Sequence, residues 1–345
     1  MHPALLTSEA ADVRRGSGTA VAAANLVEAL ALNGVQLAVF RGRDHPLGHG
    51  VARVRFNRTT WCAASWYDAV LGIGGDGQTA TSRCGLPFVA LPKALYGQVL
   101  RSEPALTRML LRGHAALERR SALAASLVVV PSRFAAAVVH DDFGVPWSRI
   151  EVIPEPFPAA RWRTAPAPAR QGRRALVVAH LYRRKRVGDV IAAWPAVRKI
   201  HPDAEVDVAG DGPELAPLRR AAAGVAGVRM HGHVAPARLR VLYAQADVLV
   251  SASAHETFGY AVVEGLASGL PVVAASAPAV VELCEGAVAE RVAIGDVGAL
   301  ARAIATSLDP GVAEAAAATN PALTARFESR TVGAAYLEVL GALVA

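Results

Sequence analysis

The order of apolar runs constrains this chain more than any other feature. Short strand-like runs alternate with helix-length stretches, and the alternation resumes beyond a proline-rich interruption. In the first half the runs are Ala4–Thr7, Val35–Phe40, Ala69–Ile73, Phe88–Leu91 and Leu127–Val130. Helical stretches fill 20–33, closed by Gly34 as a C-cap, and 104–125. In the second half the runs are Ala175–Ala179, Ala204–Ala209, Val228–His231, Asp247–Ser251 and Pro271–Ala274, with a weaker one at Ala287–Val292. Strands alternating with helices predict a parallel sheet covered on both faces, here twice over. Between the halves, Pro154, Pro156, Pro158, Pro166 and Pro168 break any apolar period and mark a linker. The expected organisation is an α/β chain of two Rossmann-like domains, residues 1–155 and 156–326. A last helix, 327–345, packs back on the first domain. Two such halves facing across a hinge make a cleft, a favoured place for ligands.

Composition narrows the function classes. No run of about eighteen uncharged apolar residues occurs, so no stable membrane insertion is expected. The start, MHPALLTSEAADVRRG, lacks the apolar core of a signal peptide. Cys62, Cys84 and Cys284 are odd in number and far apart, which points to a reducing cytoplasm and no disulfide framework. The net charge is +7, and only Lys93, Lys185 and Lys199 are lysines. The arginines are dispersed and not interleaved with aromatics, so no nucleic-acid partner is expected. No amphipathic basic helix stands out in the first half, so a small soluble acceptor is favoured over a lipid one. Nothing in the sequence fixes the oligomeric state.

Four constellations carry chemistry. In HETFGYAVVE, Glu256 falls in a strand-to-helix loop and Glu264 one to two turns into the helix. Ligands of such sheets bind where strand C-termini meet helix N-termini. There free N–H groups and the helix dipole suit a phosphate, and carboxylates suit hydroxyls. Glu256 as a mere helix-end charge is the plain alternative, but Glu264 lies among Ala261, Val262, Val263 and Leu266, where an unpartnered carboxylate is costly. In AHLYRRKR, after a strand, His180 and Lys185 are candidates for phosphate contact, while Arg183, Arg184 and Arg186 read as a solvated turn. In AGDGPE, Gly210 and Gly212 permit a tight turn and close backbone approach to a ligand. The glycine loop with Gly16 and Gly18, at a helix N-terminus, is a donor-binding candidate that meets a diphosphate from across the cleft, and Gly75-Asp76, after another strand, is an acceptor-side candidate. The loop lacks the full G-x-G-x-x-G fingerprint. No D-x-D, H-E-x-x-H, C-x-x-C, G-x-S-x-G or P-loop pattern occurs, so neither a metal platform nor a cofactor is expected.

Together these motifs resemble the retaining glycosyltransferases of family 4, which have the GT-B fold. AHLYRRK looks like that family's G-R-L-x-x-x-K, AGDGPE like its G-x-G-P, and HETFGYAVVEGLASGLPVVA like its E-x7-E signature with the G-x-P-V-V-A continuation. The likeness is strong from about Ala175 to Val292 and fainter before, where it rests on the glycine loop and VVVPSRF. The resemblance implies a donor that is a UDP- or GDP-sugar, with Glu256 on the sugar hydroxyls and Glu264 on the ribose. Thr257, Phe258 and Gly259 hold the diphosphate with Lys185, and His233 and Val234 lie by the base. It implies metal-independent transfer with retention; the aromatic and glycine-containing loops of the first half (Trp61, Trp66, Tyr67, Tyr96) leave room for a small soluble acceptor, as in specialised-metabolite biosynthesis. Two departures stand out: His180 replaces the family's Arg, and Pro92-Lys93 stands where an acceptor-site His is usual. Lys93 and Tyr96 join the acceptor-side candidates. Phosphates beside His180 would favour its charged form. The rival readings are a sugar-nucleotide epimerase of the same fold and a non-catalytic sugar-nucleotide-binding protein.

Overall fold

The structure, a computed structural model, describes residues 1–8, 18–42, 53, 55–58, 66–79, 85–162 and 173–345, with the backbone alone at Ser102 and Leu110. Two compact units emerge: one holds the described residues up to Phe157 together with Phe327–Ala345, the other the described residues of Pro158–Arg326.

In the first unit six parallel strands run in the order β2-β1-β3-β4-β5-β6. They are β1 (Pro3–Thr7), β2 (Ala38–Arg41), β3 (Ala69–Ile73), β4 (Phe88–Leu91), β5 (Leu127–Val130) and β6 (Ile150–Val152). β1, β3 and β4 are buried at every residue, as an apolar strand covered on both faces must be. Its helices include α1 (Gly18–Ala31), α2 (Ala105–Ala124) and α3 (Arg133–Asp141). α1 ends as its sequence dictates. Gly34 takes a left-handed φ of 83°, and the Val35 and Gly34 N–H groups close back on Leu30 and Ala31. Val35 is spent on that cap, so the strand expected from Val35 begins only at Ala38. The sequence pattern missed β6, a three-residue edge strand with only Ile150 buried. Nor is the start of the proline-rich segment slack. Phe157 is buried, and its N–H donates to the Phe327 carbonyl at 2.7 Å. Pro166 and Pro168 lie outside the described residues.

The second unit repeats the plan with β7 (Arg174–Val178), β8 (Glu205–Ala209), β9 (Val228–Gly232), β10 (Val248–Ser251), β11 (Val272–Ala275) and β12 (Ala289–Val292). All pair parallel in the order β12-β11-β10-β7-β8-β9. Around them lie α4 (Val187–Ile200), α5 (Leu215–Ala222), α6 (Pro236–Gln245), α7 (Tyr260–Ala267), α8 (Pro278–Leu283), α9 (Val297–Ser307) and α10 (Pro310–Leu323). Trp194, Val190 and Ile191 of α4 pack with Val177, Val206, Val250 and Val273 of the sheet. Each such side chain contributes about 1.5–3 kcal/mol by leaving water.

The last helix, α11 (Ser329–Val344), returns to the first unit and lies against α1. Val332, Tyr336 and Leu340 join Leu26, Leu30 and Leu71 in one core. A Cβ on Gly333 would fall 2.3 Å from the Ala29 carbonyl oxygen, so glycine lets the two backbones close.

Candidate functional site

The strand order of the second unit reverses between β7 and β10. Loops leaving neighbouring parallel strands at such a switch point turn to opposite faces and leave a crevice beyond the strand ends. The β7 loop runs through His180–Tyr182 into a 3-10 turn, Arg183–Lys185, and Arg186 enters α4 from a left-handed φ of 51°. The β10 loop carries Ala252–Gly259 to α7. The Ala254 N–H donates to the Arg184 carbonyl at 2.8 Å and ties the two loops together. Lys185 Nζ thereby reaches Glu256 Oε1 at 2.5 Å, with each side chain 16% exposed. Burial alone would push the Glu256 carboxyl up. The Lys185 cation and its hydrogen bond outweigh that, helped by Arg184 and Ser253, and hold the group below the ordinary carboxylate range. Glu256 is therefore ionised at neutral pH.

α7 starts at a glycine because the chain must turn there. Gly259 has φ 109°, and a Cβ would sit 3.1 Å from Leu283 Cδ1. The Val262 N–H closes back on the Gly259 carbonyl at 2.9 Å, and the first turn carries the positive end of the helix dipole. Phe258 is buried and meets Tyr260 edge-on, with ring centroids 5.2 Å apart; half-buried Thr257 precedes it. Further along α7, Gly265 allows close contact with Leu249 of β10, since a Cβ would fall 2.6 Å from Leu249 Cδ2. The neighbouring Glu264 has the partner its apolar setting demands. Tyr243 of α6 donates its hydroxyl to Glu264 Oε2 at 2.7 Å. Burial pushes the Glu264 carboxyl up to about 7, and the Tyr243 hydrogen bond only partly offsets it. Tyr243 was missed in the sequence, where a tyrosine in VLYAQAD reads as ordinary core.

The glycines of AGDGPE sit at a tight turn against the β7 loop. Gly210 has φ 146°, and a Cβ there would fall 1.8 Å from the Ala179 carbonyl oxygen. At Gly212 it would fall 2.8 Å from the Leu181 backbone. The close approach is thus between two loops of the chain itself. Leu181 N–H donates to Asp211 O at 2.8 Å, and Glu214 N–H to Leu181 O at 2.9 Å. This clasp fixes His180, which packs on the Tyr182 ring with centroids 4.5 Å apart. Burial pushes the His180 pKa down, and Arg184 and Lys185 add to the effect against Asp211. The imidazole of the free protein is therefore neutral at pH 7. His233 is exposed and Val234 half-buried, in the loop after β9.

In the first unit the candidates separate. Gly16 lies outside the described residues, and Gly18 is the exposed first residue of α1. Asp76 is completely buried. Its Oδ2 accepts from Ser8 N–H at 2.6 Å and Ser8 Oγ at 2.8 Å, and its Oδ1 from Asn57 Nδ2 at 2.9 Å. Buried Arg53 stands 3.3 Å away. Asp76 follows β3 and Ser8 follows β1, the pair at which this sheet reverses its order, so the carboxylate seals that switch point and presents nothing to a ligand. Gly75 is a packing position, where a Cβ would fall 2.9 Å from Leu117 Cβ of α2. Lys93 ion-pairs with Glu155 at 2.5 Å. Tyr96 stacks on His114 at 5.4 Å, and its N–H donates to buried Glu118 at 2.8 Å.

This architecture is the GT-B glycosyltransferase fold. Residues 172–309, which contain the whole Lys185–Glu256–Glu264 constellation, match the family described as Glycosyl transferases group 1. A glycogen synthase of Mycobacterium tuberculosis is 33% identical over 204 residues, 57% of this chain and 49% of that protein; the match thus spans about half of the relative. Among solved structures, Anabaena HepE in complex with UDP and glucose superposes with TM-score 0.76 at 19% identity, covering 99% of this chain and 100% of that one. Sucrose-phosphate synthase from Thermosynechococcus elongatus gives 0.79 at 18% identity, covering 99% of each.

Proposed function

We propose that this protein is a retaining, metal-independent glycosyltransferase that moves a sugar from a nucleotide-diphosphate sugar to an acceptor hydroxyl. The observation that carries the reading is the Lys185–Glu256 pair at the switch point of the second sheet, beside the first turn of α7. An ionised Glu256 accepts hydrogen bonds from the donor-sugar hydroxyls. Lys185 and the N–H groups at Phe258 and Gly259 take up the diphosphate charge that a divalent cation would otherwise neutralise. Glu264 accepts from the ribose hydroxyls, and His233 and Val234 flank the base. In the transfer step the bond from C1 to the diphosphate oxygen breaks as the bond from C1 to the acceptor oxygen forms on the same face. The departing phosphate oxygen takes the acceptor proton, so no enzyme base is needed. Lys93 and Tyr96 are the acceptor-side residues of this reading; Gly75 and Asp76 drop out.

The test is a thermal-shift screen of UDP, GDP and their sugars, followed by transfer assays with and without chelator and by determination of the product anomer. A ligand at about a hundred times its Kd should add ~2.7 kcal/mol of stability. Glu256→Gln should abolish transfer; unchanged turnover in that variant would refute the assignment, and sugar interconversion without an acceptor would identify an epimerase instead.

A further inference from the structure

Helix α2 of the first unit has an exposed face that no described residue covers. Leu106 is 72% exposed and Met109 68% exposed, and Ala116 and Leu123 continue the same stripe. At about 100° per residue these four fall within roughly a third of the helix circumference. Arg108, Arg112 and Arg119 border the stripe on one flank and Arg120 sits within it, all exposed. The helix has one acidic residue, Glu118, and it points inward. Fully buried, it accepts the N–H groups of Ala94, Leu95 and Tyr96. The outer face is therefore purely cationic around an apolar centre. The sequence hides it because half-buried Leu117 and buried Ala122 interrupt the pattern, and only tertiary packing separates inner from outer leucines.

We propose that α2 docks the protein on an anionic lipid surface, lying in the interface plane with Leu106, Met109 and Leu123 among the acyl chains and the arginines at the headgroup phosphates. The charge pattern selects this occupant. A second copy of the chain would bring four arginines against four, and a nucleic acid would leave Leu106 and Met109 with nothing apolar to meet. No described helix is long and apolar enough to cross a membrane, so the contact is peripheral. This docking is independent of the donor-site reading, and it removes the sequence argument for a soluble acceptor.

The full-length protein is sedimented with vesicles of phosphatidylglycerol and phosphatidylcholine in equal parts, with pure phosphatidylcholine vesicles, and is titrated with duplex DNA. Binding to the anionic vesicles is expected, weakening with salt, with none to the neutral ones. Each arginine near the surface is worth about fivefold in partitioning (~1 kcal/mol), so Arg108→Gln/Arg112→Gln/Arg119→Gln should lower it on the order of a hundredfold. Leu106→Ser/Met109→Ser should also release the protein. These side chains are exposed, so both variants should keep the wild-type melting temperature, and the salt titration of the unmodified protein stands as a separate readout. Absence of anionic-vesicle binding at low salt overturns the proposal. So does vesicle binding indifferent to Leu106→Ser/Met109→Ser with equally tight DNA binding, or a dimer that the same substitutions dissociate.

Discussion

Replacing Lys185 by methionine removes one half of the ion pair and keeps most of its apolar stem, so the loss is chiefly electrostatic. Unit charges 2.5 Å apart attract by about 6–7 kcal/mol at an effective dielectric constant of about 20. Desolvation of both ions offsets most of that, so the intact pair is worth little net, but a stranded carboxylate keeps its own desolvation cost. That cost reaches about 3–5 kcal/mol at full burial, and the residual exposure of Glu256 brings it to about 3 kcal/mol. For a unit of this size the melting temperature should fall by roughly 6–12 °C. The pH dependence discriminates. With Lys185 present, Glu256 lies below its ordinary 4.5, so the pair stabilises the fold above that value and the stability is lost as pH falls through the folded pKa. In Lys185→Met, burial acts without that opposing cation and the carboxyl rises. The deficit against wild type should then be largest at neutral pH and shrink in acid, where protonation relieves the stranded charge. Lys185→Met/Glu256→Gln should recover most of the stability and none of the nucleotide-sugar binding. Differential scanning fluorimetry from acid to neutral pH, with and without UDP-sugar, reads both. A deficit independent of pH, or a double variant no more stable than Lys185→Met, would refute the electrostatic account.

Two other perturbations test the site's supports. Tyr243→Phe removes the hydroxyl that lowers the Glu264 carboxyl, which burial already lifts to about 7. Wild-type affinity for a nucleoside diphosphate should rise as pH rises through about 7 and Glu264 ionises, and the variant's midpoint should move to higher pH; calorimetric titration across neutrality reads the shift. The same raised pKa means the fold loses stability as pH climbs from 4.5 towards 7, and the variant should lose more on the alkaline side. Gly210→Ala should cost more than about 3 kcal/mol and loosen the His180 loop, because its Cβ would overlap the Ala179 carbonyl at a left-handed φ. Chemical denaturation measures it, and a near-neutral result would mean that the two loops separate freely.

The sequence by itself determined the local and periodic parts of this protein. Alternating apolar runs specify two α/β units, Gly34 specifies the end of α1, and HETFGYAVVE places one carboxylate before a helix and another inside it. These features depend on neighbours within a few residues, where backbone geometry and hydrophobic period decide the outcome. Tertiary structure decided everything that joins distant residues. Lys185 and Glu256 are 71 positions apart and meet because β7 and β10 are neighbours at the reversal of strand order. Tyr243 reaches Glu264 from another helix. Gly210 faces a backbone, although a glycine turn reads the same whether it opens to a ligand or to a carbonyl. Asp76 seals a switch point because Ser8 from one segment and Arg53 and Asn57 from another converge on it. The leucines of α2 divide into inner and outer sets only once Glu118 is drawn inside by three backbone N–H groups. Burial and pairing belong to the packed chain, so the charge states of Glu256, Glu264 and His180 were fixed there.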